Sequence, residues 1–398
     1  MSITVCLAPA RTIEYREGGG HLWVYLNWAL GLRALGCRVI WLEGIDLSES
    51  ASSRRQRHGT DAQACLATLK ARLRPFGFAE SIALFAVNGE NLPAELSEGC
   101  LDVEAAAEAD LLLNLWHSLP APVARRFRRS AFVDTDPGLV QIWMTTGQLK
   151  VAPHDLYFSV GETVGTSSAR FPDCGLRWHH TPPPVFLPEW SPARAETGAP
   201  YTTVAHWWGG TVQFGRDALS NNKLDGFLEY AELPAQTAVP LERAISLGSR
   251  YDEWDARLAP LGWRIREAWA VSRTPEDYRA YIQRSRGEFS IAKPTYVRLA
   301  SGWVSDRTGC YLASGKPAVV QYTGPSRYLP DAEGLFRFRT MDEAARALVL
   351  VESDYERHCR SARALAEDHF DARRVVGRVL DHALAEPARP RASAVGTQ

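Results

Sequence analysis

The sequence predicts an α/β protein with two Rossmann-like domains. Strands and helices alternate in both halves of the chain, and a proline-rich stretch at residues 181–200 separates the halves. The length of 398 residues exceeds what one typical hydrophobic core supports and suits two domains. We therefore expect a first domain over residues 1–180, a linker over 181–200 and a second domain over 201–370. Residues 371–386 are expected to form a helix that packs back across the domains, and residues 387–398 a flexible tail.

The composition is that of a soluble globular protein, with 45% hydrophobic residues, 23% charged residues and a formal net charge of −1. A charge so close to zero gives no electrostatic argument for a nucleic-acid partner or an acidic membrane surface, and none is expected. The 13 tryptophans either line a site for sugars or other ring-shaped ligands or belong to a large core.

The seven cysteines are scattered and show no spacing typical of a zinc site. We expect them to be free thiols of a cytoplasmic protein, and we expect no bound metal. No stretch approaches the ~18 consecutive apolar residues of a membrane span, and the N-terminus does not have the pattern of a signal peptide.

The first half begins with a strand, glycine loop, helix and strand, which together predict a right-handed βαβ unit. Ile3–Ala8 is the first strand, His21–Leu35 is the helix, and Arg38–Glu43 is the second strand. The loop ends in three glycines at residues 18–20, but it lacks the G-x-G-x-x-G pattern, so we do not expect NAD. The glycines are instead expected to let the loop approach a ligand or the other domain closely. The later elements predicted here are helices at Asp61–Leu73 and Val123–Arg128 and strands at Ile82–Val87, Asp110–Leu115, Ala131–Val133 and Leu156–Val160.

Polar side chains follow three of these strands. They are His117, the pair Asp134 and Asp136, and Glu162. Ligands of open α/β sheets bind beyond the carboxyl ends of the strands, so these residues are candidates for a site.

The second half repeats the alternation. A Gly/Asn-rich loop at Trp208–Asn222 and a second loop at Lys293–Trp303 interrupt it. The strands predicted here are Tyr201–Trp207, Leu241–Leu247, Trp263–Trp269 and Glu288–Ala292. The helices are Lys223–Leu233, Asp252–Leu261, one from Thr274 to about Arg284, Thr340–Leu350, Glu352–Phe370 and Asp371–Ala385.

The stretch Ser301–Gly324 is typical of an anion site. Ser305 or Asp306 is a good N-cap for a short helix over Arg307–Ala313, and a strand follows at Ala318–Gln321. The start of such a helix presents unpaired N–H groups and a positive dipole end, which favour an anion such as a phosphate. The alternative is an ordinary α/β unit without a ligand.

Two segments resemble GT-B glycosyltransferases. The first is GGGHLWVYLNWALGLRALGCRVIWLEG, and the second is EFSIAKPTYVRLASGWVSDRTGCYLASGKPAVVQYTGPSRYLPDAEGLFRF. The resemblance implies two domains facing a cleft, a nucleotide-sugar donor such as a UDP-sugar in the second domain, and an acceptor, a small molecule or a glycan, in the first. It also implies that no cofactor and no divalent metal are needed, because basic residues and helix dipoles neutralise the diphosphate.

The sequence departs from the pattern of retaining enzymes of this fold. They often carry two glutamates in an E-x7-E motif, and the matching positions here hold Gly302 and Cys310. Whether the enzyme retains or inverts is therefore open. Two alternatives also stay open: a nucleotide-sugar epimerase or hydrolase of the same fold, and a non-catalytic sugar-nucleotide-binding protein.

The resemblance implies roles for residues of the donor side. Six residues are expected at the diphosphate, with Arg216 as the partner of Lys223. They are Ser305, Asp306, Arg307, Thr308, Lys223 and Arg216. Trp208, Gly324 and Glu333 are expected near the sugar or the base. Each of these residues also has an alternative without a ligand. The residues at the helix start would only cap the helix, and the cations would only be solvated. Trp208 would pack between the domains, and Glu333 would lie in a surface turn.

The remaining candidates belong to the acceptor side. His21 is expected to be the base of an inverting reaction, with Asp136 as its rival. Gly19, Gly20 and His117 are expected to border the acceptor. The alternatives are a packing role for each histidine and turn formation for Asp136 before Pro137.

Overall fold

The computed structural model describes residues 2–15, 18–48, 61–207, 209–247 and 250–385. Its strands are β1 Thr4–Ala8, β2 Arg38–Ile45, β3 Ile82–Ala86, β4 Leu111–Asn114, β5 Ser130–Asp134, β6 Leu156–Ser159, β7 Trp178–His180, β8 Tyr201–His206, β9 Thr211–Phe214, β10 Asp217–Ser220, β11 Leu241–Ser246, β12 Trp263–Glu267, β13 Gly287–Ser290, β14 Ala318–Gln321 and β15 Leu335–Phe338. Its helices are α1 Gly19–Ala34, α2 Ala62–Leu73, α3 Ala94–Ser97, α4 Val103–Ala107, α5 Ala121–Ala124, α6 Leu139–Thr145, α7 Lys223–Leu228, α8 Tyr251–Leu258, α9 Ala268–Ser272, α10 Pro275–Arg284, α11 Pro294–Leu299, α12 Asp306–Ala313, α13 Met341–Ser353, α14 Tyr355–Leu365 and α15 Ala372–Ala385. No helix in these ranges is long and apolar enough to cross a membrane.

Two parallel sheets organise the chain. The first has the order β3-β2-β1-β4-β5-β6-β7, and the second has the order β12-β11-β8-β13-β14-β15. All their strand pairs are parallel, as expected when helices cover both faces of a sheet. The predicted fold class, two Rossmann-like α/β halves, is confirmed.

Several helices begin where the sequence places capping residues. The side chain of Asp61 accepts a hydrogen bond at the start of α2, and Thr274 does so at the start of α10, where Pro275 occupies the first turn. Ser305 caps α12 by accepting from the backbone N–H of Arg307 at 3.2 Å. The predicted helix start in the Ser301–Gly324 stretch therefore forms.

Other segments differ from the prediction. Residues 209–222 are not simply a loop, because β9 and β10 pair there as an antiparallel hairpin. The predicted loop Lys293–Trp303 contains α11, which Pro294 initiates. The predicted basic helix Val123–Arg128 is shifted, since α5 ends at Ala124 and the arginines follow it. Short strands β7 and β15 extend the two sheets and were not predicted, because three or four residues carry too little alternation to detect.

Helix α1 joins the two halves through a shared core. One continuous apolar cluster runs from the first sheet through α1 to α12, α14 and α15. Gly31 of α1 lies so close to Ala372 and Val376 of α15 that an added Cβ would be 3.0 Å from both side chains. The indole N–H of Trp23 donates to the carbonyl of Pro275 at 2.7 Å. On this side the halves meet as a packed interior.

Candidate functional site

A group of cations lies at the carboxyl edge of the second sheet. Lys223 is the first residue of α7, Lys293 precedes α11, and Arg307 lies in the first turn of α12. His206 is the last residue of β8, and its pKa is lowered to about 4 by burial and by Lys223 and Lys293. The imidazole of His206 is therefore uncharged at neutral pH, and we call Lys223, Lys293 and Arg307 the cation cluster.

Lys223 lies close to the other two cations of this cluster, Lys293 and Arg307. Burial lowers the pKa of its ammonium well below the usual value, and Arg307, Lys293 and Arg243 lower it further. Within the described ranges neither Lys223 nor Lys293 has a carboxylate in ion-pair contact, although Lys293 lies 5.6 Å from the ring centre of Tyr296. The positive electrostatic potential of such a site favours the binding of an anion.

Arg307 is only partly available to a ligand. Its Nε donates to Glu288 Oε1 at 2.8 Å, and its Nη1 donates to the carbonyl of Val204 at 3.0 Å. The predicted diphosphate contact is therefore left to the second N–H of Nη1 and to Nη2, which has no hydrogen-bond partner in the described part of the chain. Thr308 is buried in the first turn of α12 and lines the same gap as Ser305 and Arg307.

Arg243 adds positive potential from beneath the cluster. It is 0% exposed, its guanidinium lies 4.2 Å from the ring centre of Phe227 of α7, and its three side-chain nitrogens have no partner among the described residues. Burial and the nearby Arg307 lower its pKa to about 9. No sequence signal marks Arg243, because a single arginine inside a strand normally reaches solvent.

Sequence reasoning also missed His206 and Lys293. The strand-end argument applied to the first half would have found His206 if it had been applied to β8 as well. Lys293 was assigned to a loop, yet the dipeptide Lys293-Pro294 is typical of a helix start.

Asp136 and His117 follow strands of the first sheet, and they lie on the side of the cleft opposite the cation cluster. Oδ1 of Asp136 accepts a hydrogen bond of 2.5 Å from the hydroxyl of Tyr296 in α11, so this contact joins the two halves. Asp136 and Arg11 are the charged groups near His117, whose pKa burial lowers. Asp134 is buried behind them, where desolvation raises its pKa to about 7 although Gln141 donates to it.

His21 and the glycines before it lie at the contact between the halves. The Nε2–H of His21 donates to the carbonyl of Ala10 at 2.8 Å, which leaves Nδ1 as an acceptor, and burial lowers its pKa. A Cβ on Gly19 would overlap the carbonyl of Thr274, and one on Gly20 would lie 2.7 Å from the ring of Tyr278. The close approach predicted for these glycines is therefore to the other half of the chain, and Gly19 and Gly20 do not face an open acceptor site.

Three donor-side predictions do not fit their positions. Arg216 is exposed at the tip of the β9–β10 hairpin, where no contact links it to Lys223. Glu333 pairs with Arg357 of α14, so its carboxylate faces that helix and not the cation cluster. Gly324, with a φ of 129°, packs against the backbone of Ala300. The prediction for Trp208 lies outside the described residues.

The backbone conformation and a close contact explain why residue 302 is a glycine. Its φ is 70°, a conformation that side chains rarely adopt, and an added Cβ would lie 3.1 Å from Cβ of Glu162. Glu162 therefore places a carboxylate from the first half beside the position where a motif glutamate was expected. Its Oε2 accepts from the backbone N–H of Arg327 at 2.8 Å, and the hydroxyl of Ser326 donates to Oε1.

The space around the helix start is small. The gap between α12 and the ends of β13 and β14 has a volume of about 20 Å3. Its walls include Ser290, Ser305 and Arg307. A space of this size holds about one water molecule. A second gap of about 20 Å3 is lined by Val24 and Thr135 of the first half and by Trp303 and Asp306 of the second, so the two halves are closed on each other beside the start of α12.

No protein-family model and no curated protein matches the sequence. Solved structures are similar in fold over almost the whole chain. An "alpha-glucosyltransferase in complex with UDP-glucose and DNA containing an abasic site" has a TM-score of 0.58 at 11% identity and covers 97% of this chain and 100% of its own. AviGT4, a glycosyltransferase involved in avilamycin A biosynthesis, has a TM-score of 0.53 at 14% identity, with coverage of 98% and 100%. A sucrose-phosphate synthase from Thermosynechococcus elongatus has a TM-score of 0.55 at 10% identity, with coverage of 96% and 99%. The chain therefore has the GT-B fold of these glycosyltransferases.

Proposed function

We propose that the protein is a glycosyltransferase that moves a sugar from a UDP-sugar to a small-molecule or glycan acceptor. The observation that carries the proposal is the convergence of Lys223, Lys293 and Arg307 at the carboxyl edge of the second sheet, where neither lysine has a carboxylate in ion-pair contact among the described residues. A departing nucleoside diphosphate gathers negative charge, and fixed cations aimed at it stabilise that charge. The structures of the similar alpha-glucosyltransferase, which contain UDP-glucose or UDP, support UDP as the nucleotide.

In this proposal Lys223 and Lys293 contact the diphosphate, and the first turn of α12 at Ser305 and Asp306 donates backbone N–H groups to it. Arg307 contributes Nη2 while Glu288 fixes its orientation. Because these groups supply the positive charge that a metal would otherwise bring, we propose that transfer needs no divalent cation.

The donor enters after the halves separate. The gap between the halves that Thr135 and Asp306 line has a volume of about 20 Å3, which cannot admit a nucleotide. The hydrogen bond between Asp136 and Tyr296 spans the closed cleft, and it would break on opening.

Of the two predicted bases, we propose Asp136. Its Oδ1 is held by Tyr296, and among the described residues Oδ2 has no hydrogen-bond donor and remains able to accept a proton from an acceptor hydroxyl. His21 is bound to Ala10 inside the first half, so we propose that it fixes the loop after β1.

The test combines binding and turnover. Calorimetry with UDP, and with ADP and GDP as controls, should show a preference for UDP. A ligand at 100 times its dissociation constant stabilises the fold by about 2.7 kcal/mol, so a thermal-shift experiment detects the same binding. Absence of binding by any nucleoside diphosphate would refute the proposal.

Turnover then separates the alternatives. Transfer from UDP-glucose or another UDP-sugar to acceptors, undiminished by a chelator, is expected. Consumption of the donor without an acceptor indicates an epimerase or hydrolase, and binding without any turnover indicates a non-catalytic protein. The Asp136→Asn variant should bind UDP as the wild type does and lose transfer.

A further inference from the structure

A second cavity lies beside the cleft, where the chain crosses back from the second half to the first. Its volume is about 310 Å3, within the range of about 300–1,000 Å3 that is typical of ligand pockets. Three parts of the chain form its walls: the ends of β6 and β7, the loops around residues 302–304 and 328–329, and the C-terminal segment from Asp368 to Arg378. We call it the crossing cavity.

The crossing cavity is a neighbour of the cleft. Val160, Pro183 and Val304 line both the cavity and a small gap that reaches Thr135 and Asp306. Lys223 and Lys293 are not among its lining residues. The cavity is therefore adjacent to the place where transfer is proposed, but it does not offer the charges that hold a diphosphate.

An aromatic surface forms one wall. The ring of Tyr328 is stacked on His180 with centroids 5.4 Å apart and an interplanar angle of 5°, yet 57% of Tyr328 is exposed. Burial and the nearby Arg378 lower the pKa of His180 to about 4, so its ring is neutral at neutral pH. The loop that carries Tyr328 is fixed by Glu162, which accepts hydrogen bonds from Ser326 and Arg327.

Polar groups of both signs face the same space. The guanidinium of Arg378 and the carboxylate of Asp368 line the cavity at its exposed edge, and within the described ranges neither has a hydrogen bond or an ion pair with the protein. Arg378 can only donate hydrogen bonds, and Asp368, when ionised, can only accept them. An anion would be opposed by Asp368, and a wholly apolar ligand would leave both charges desolvated and unpaired.

A pyranose ring satisfies all of these conditions. It presents a flat C–H face to an aromatic ring, and its hydroxyls both donate and accept at its edge. Resting on the proposed function, we infer that the crossing cavity binds a sugar residue of the acceptor, so that the acceptor is a glycan or glycoside.

The experiment measures saturation-transfer NMR from the full-length protein to free disaccharides, namely maltose, cellobiose, lactose and chitobiose, in the presence of UDP. At least one disaccharide should receive saturation. The Tyr328→Ala variant should weaken its binding by about three- to tenfold, the scale of one aromatic contact, and Tyr328→Phe should preserve it. Trp269→Ala is the matched control, because Trp269 is 48% exposed and lies outside the cavity.

Calorimetry with UDP on the same samples separates this inference from the proposed function. If UDP binds and no disaccharide does, or if Tyr328→Ala leaves disaccharide binding unchanged, the sugar site is refuted and the transferase proposal stands. If a disaccharide binds through Tyr328 and UDP does not bind, the transferase proposal is refuted, and with it the assignment of the sugar as an acceptor. Arg378→Ala gives a second variant, and it should weaken disaccharide binding without changing UDP binding.

Discussion

Replacing Lys223 with methionine tests the cation cluster, because affinity and stability should respond in opposite directions. A hydrogen bond between charged groups contributes about 1.5–3 kcal/mol, which corresponds to a loss of UDP affinity of about 10- to 150-fold. In the free protein the same ammonium is desolvated beside Lys293, Arg307 and Arg243, and its pKa is lowered as a result. Lys223→Met keeps the length of the side chain, so the unliganded protein should be as stable as the wild type or more so.

Isothermal calorimetry with UDP and urea denaturation without it measure the two effects. Lys150→Met, a substitution on the exposed surface of the first half, is the control for loss of one charge and should change neither quantity. An unchanged dissociation constant for UDP would remove Lys223 from the donor site. A loss of stability in the free variant would show that its ammonium has a favourable partner in the folded protein.

The pH dependence of UDP binding provides an independent check on Lys223. Its folded-state pKa lies below its unfolded value, so the unfolded chain binds more protons between the two pKa values and stability rises with pH in that window. A bound diphosphate favours the charged ammonium and raises this pKa again. Binding should therefore take up protons, and the affinity for UDP should fall as pH rises through the lowered pKa. Calorimetry in two buffers of different ionisation enthalpy measures the uptake, which should disappear in Lys223→Met.

Two further predictions concern the contact between the halves. Gly19→Val should lower the free energy of unfolding by about 1–3 kcal/mol in urea titrations, because the new side chain would overlap the carbonyl of Thr274. Gly210→Ala, where an added Cβ meets nothing within 4 Å, should be nearly neutral, and equal effects of the two variants would contradict the packing argument. Tyr296→Phe removes the hydroxyl that donates to Asp136 and should cost about 1.5–3 kcal/mol of unfolding free energy. A Tyr296→Phe protein as stable as the wild type would show that this bond does not hold the cleft closed.

Local signals in the sequence were sufficient to predict the strands and helices that build the two sheets and their covering layers. The alternation of apolar strands and helices predicted both sheets, and capping residues such as Ser305 and Thr274 predicted individual helix starts. These signals depend on residues that are close in sequence, so they can be recognised without knowledge of the tertiary structure. The hairpin of β9 and β10 escaped prediction because its glycines and asparagines are also typical of loops, and its strands are stabilised by packing against α11 and the first half.

The site was less predictable because its chemistry depends on partners distant in sequence. Arg307 was correctly placed at a helix start, but its pairing with Glu288, 19 residues earlier, follows only from the adjacent positions of α12 and β13. Glu333 follows a strand in a pattern that resembles a donor loop, yet α14 supplies Arg357 and turns its carboxylate away. Arg243 gave no local signal at all, since its unpartnered guanidinium is evident only from the rings that surround it.

The two sides of the interface between the halves differ in the energy needed to separate them. Around α1 the contact is a continuous apolar core, and exposing it costs about 25 cal/mol for each Å2 of apolar surface. Around the cation cluster the halves share a smaller apolar cluster, which includes Leu139 and Phe171 of the first half and Leu299 of the second. Polar contacts accompany it, such as the hydroxyl of Tyr296 on Asp136 and the donors of Ser326 and Arg327 on Glu162. Water can replace these hydrogen bonds at a net cost of only about 0.5–1.5 kcal/mol each, or about 1.5–3 kcal/mol where a charged group takes part. Separation of the halves is therefore less costly on this side, where the shared apolar cluster is smaller, and α1 is the side that stays together. Lys223, which has no carboxylate in ion-pair contact among the described residues, lies on the side with the smaller apolar cluster. The less costly side of the interface is therefore the one that must open to admit an anion.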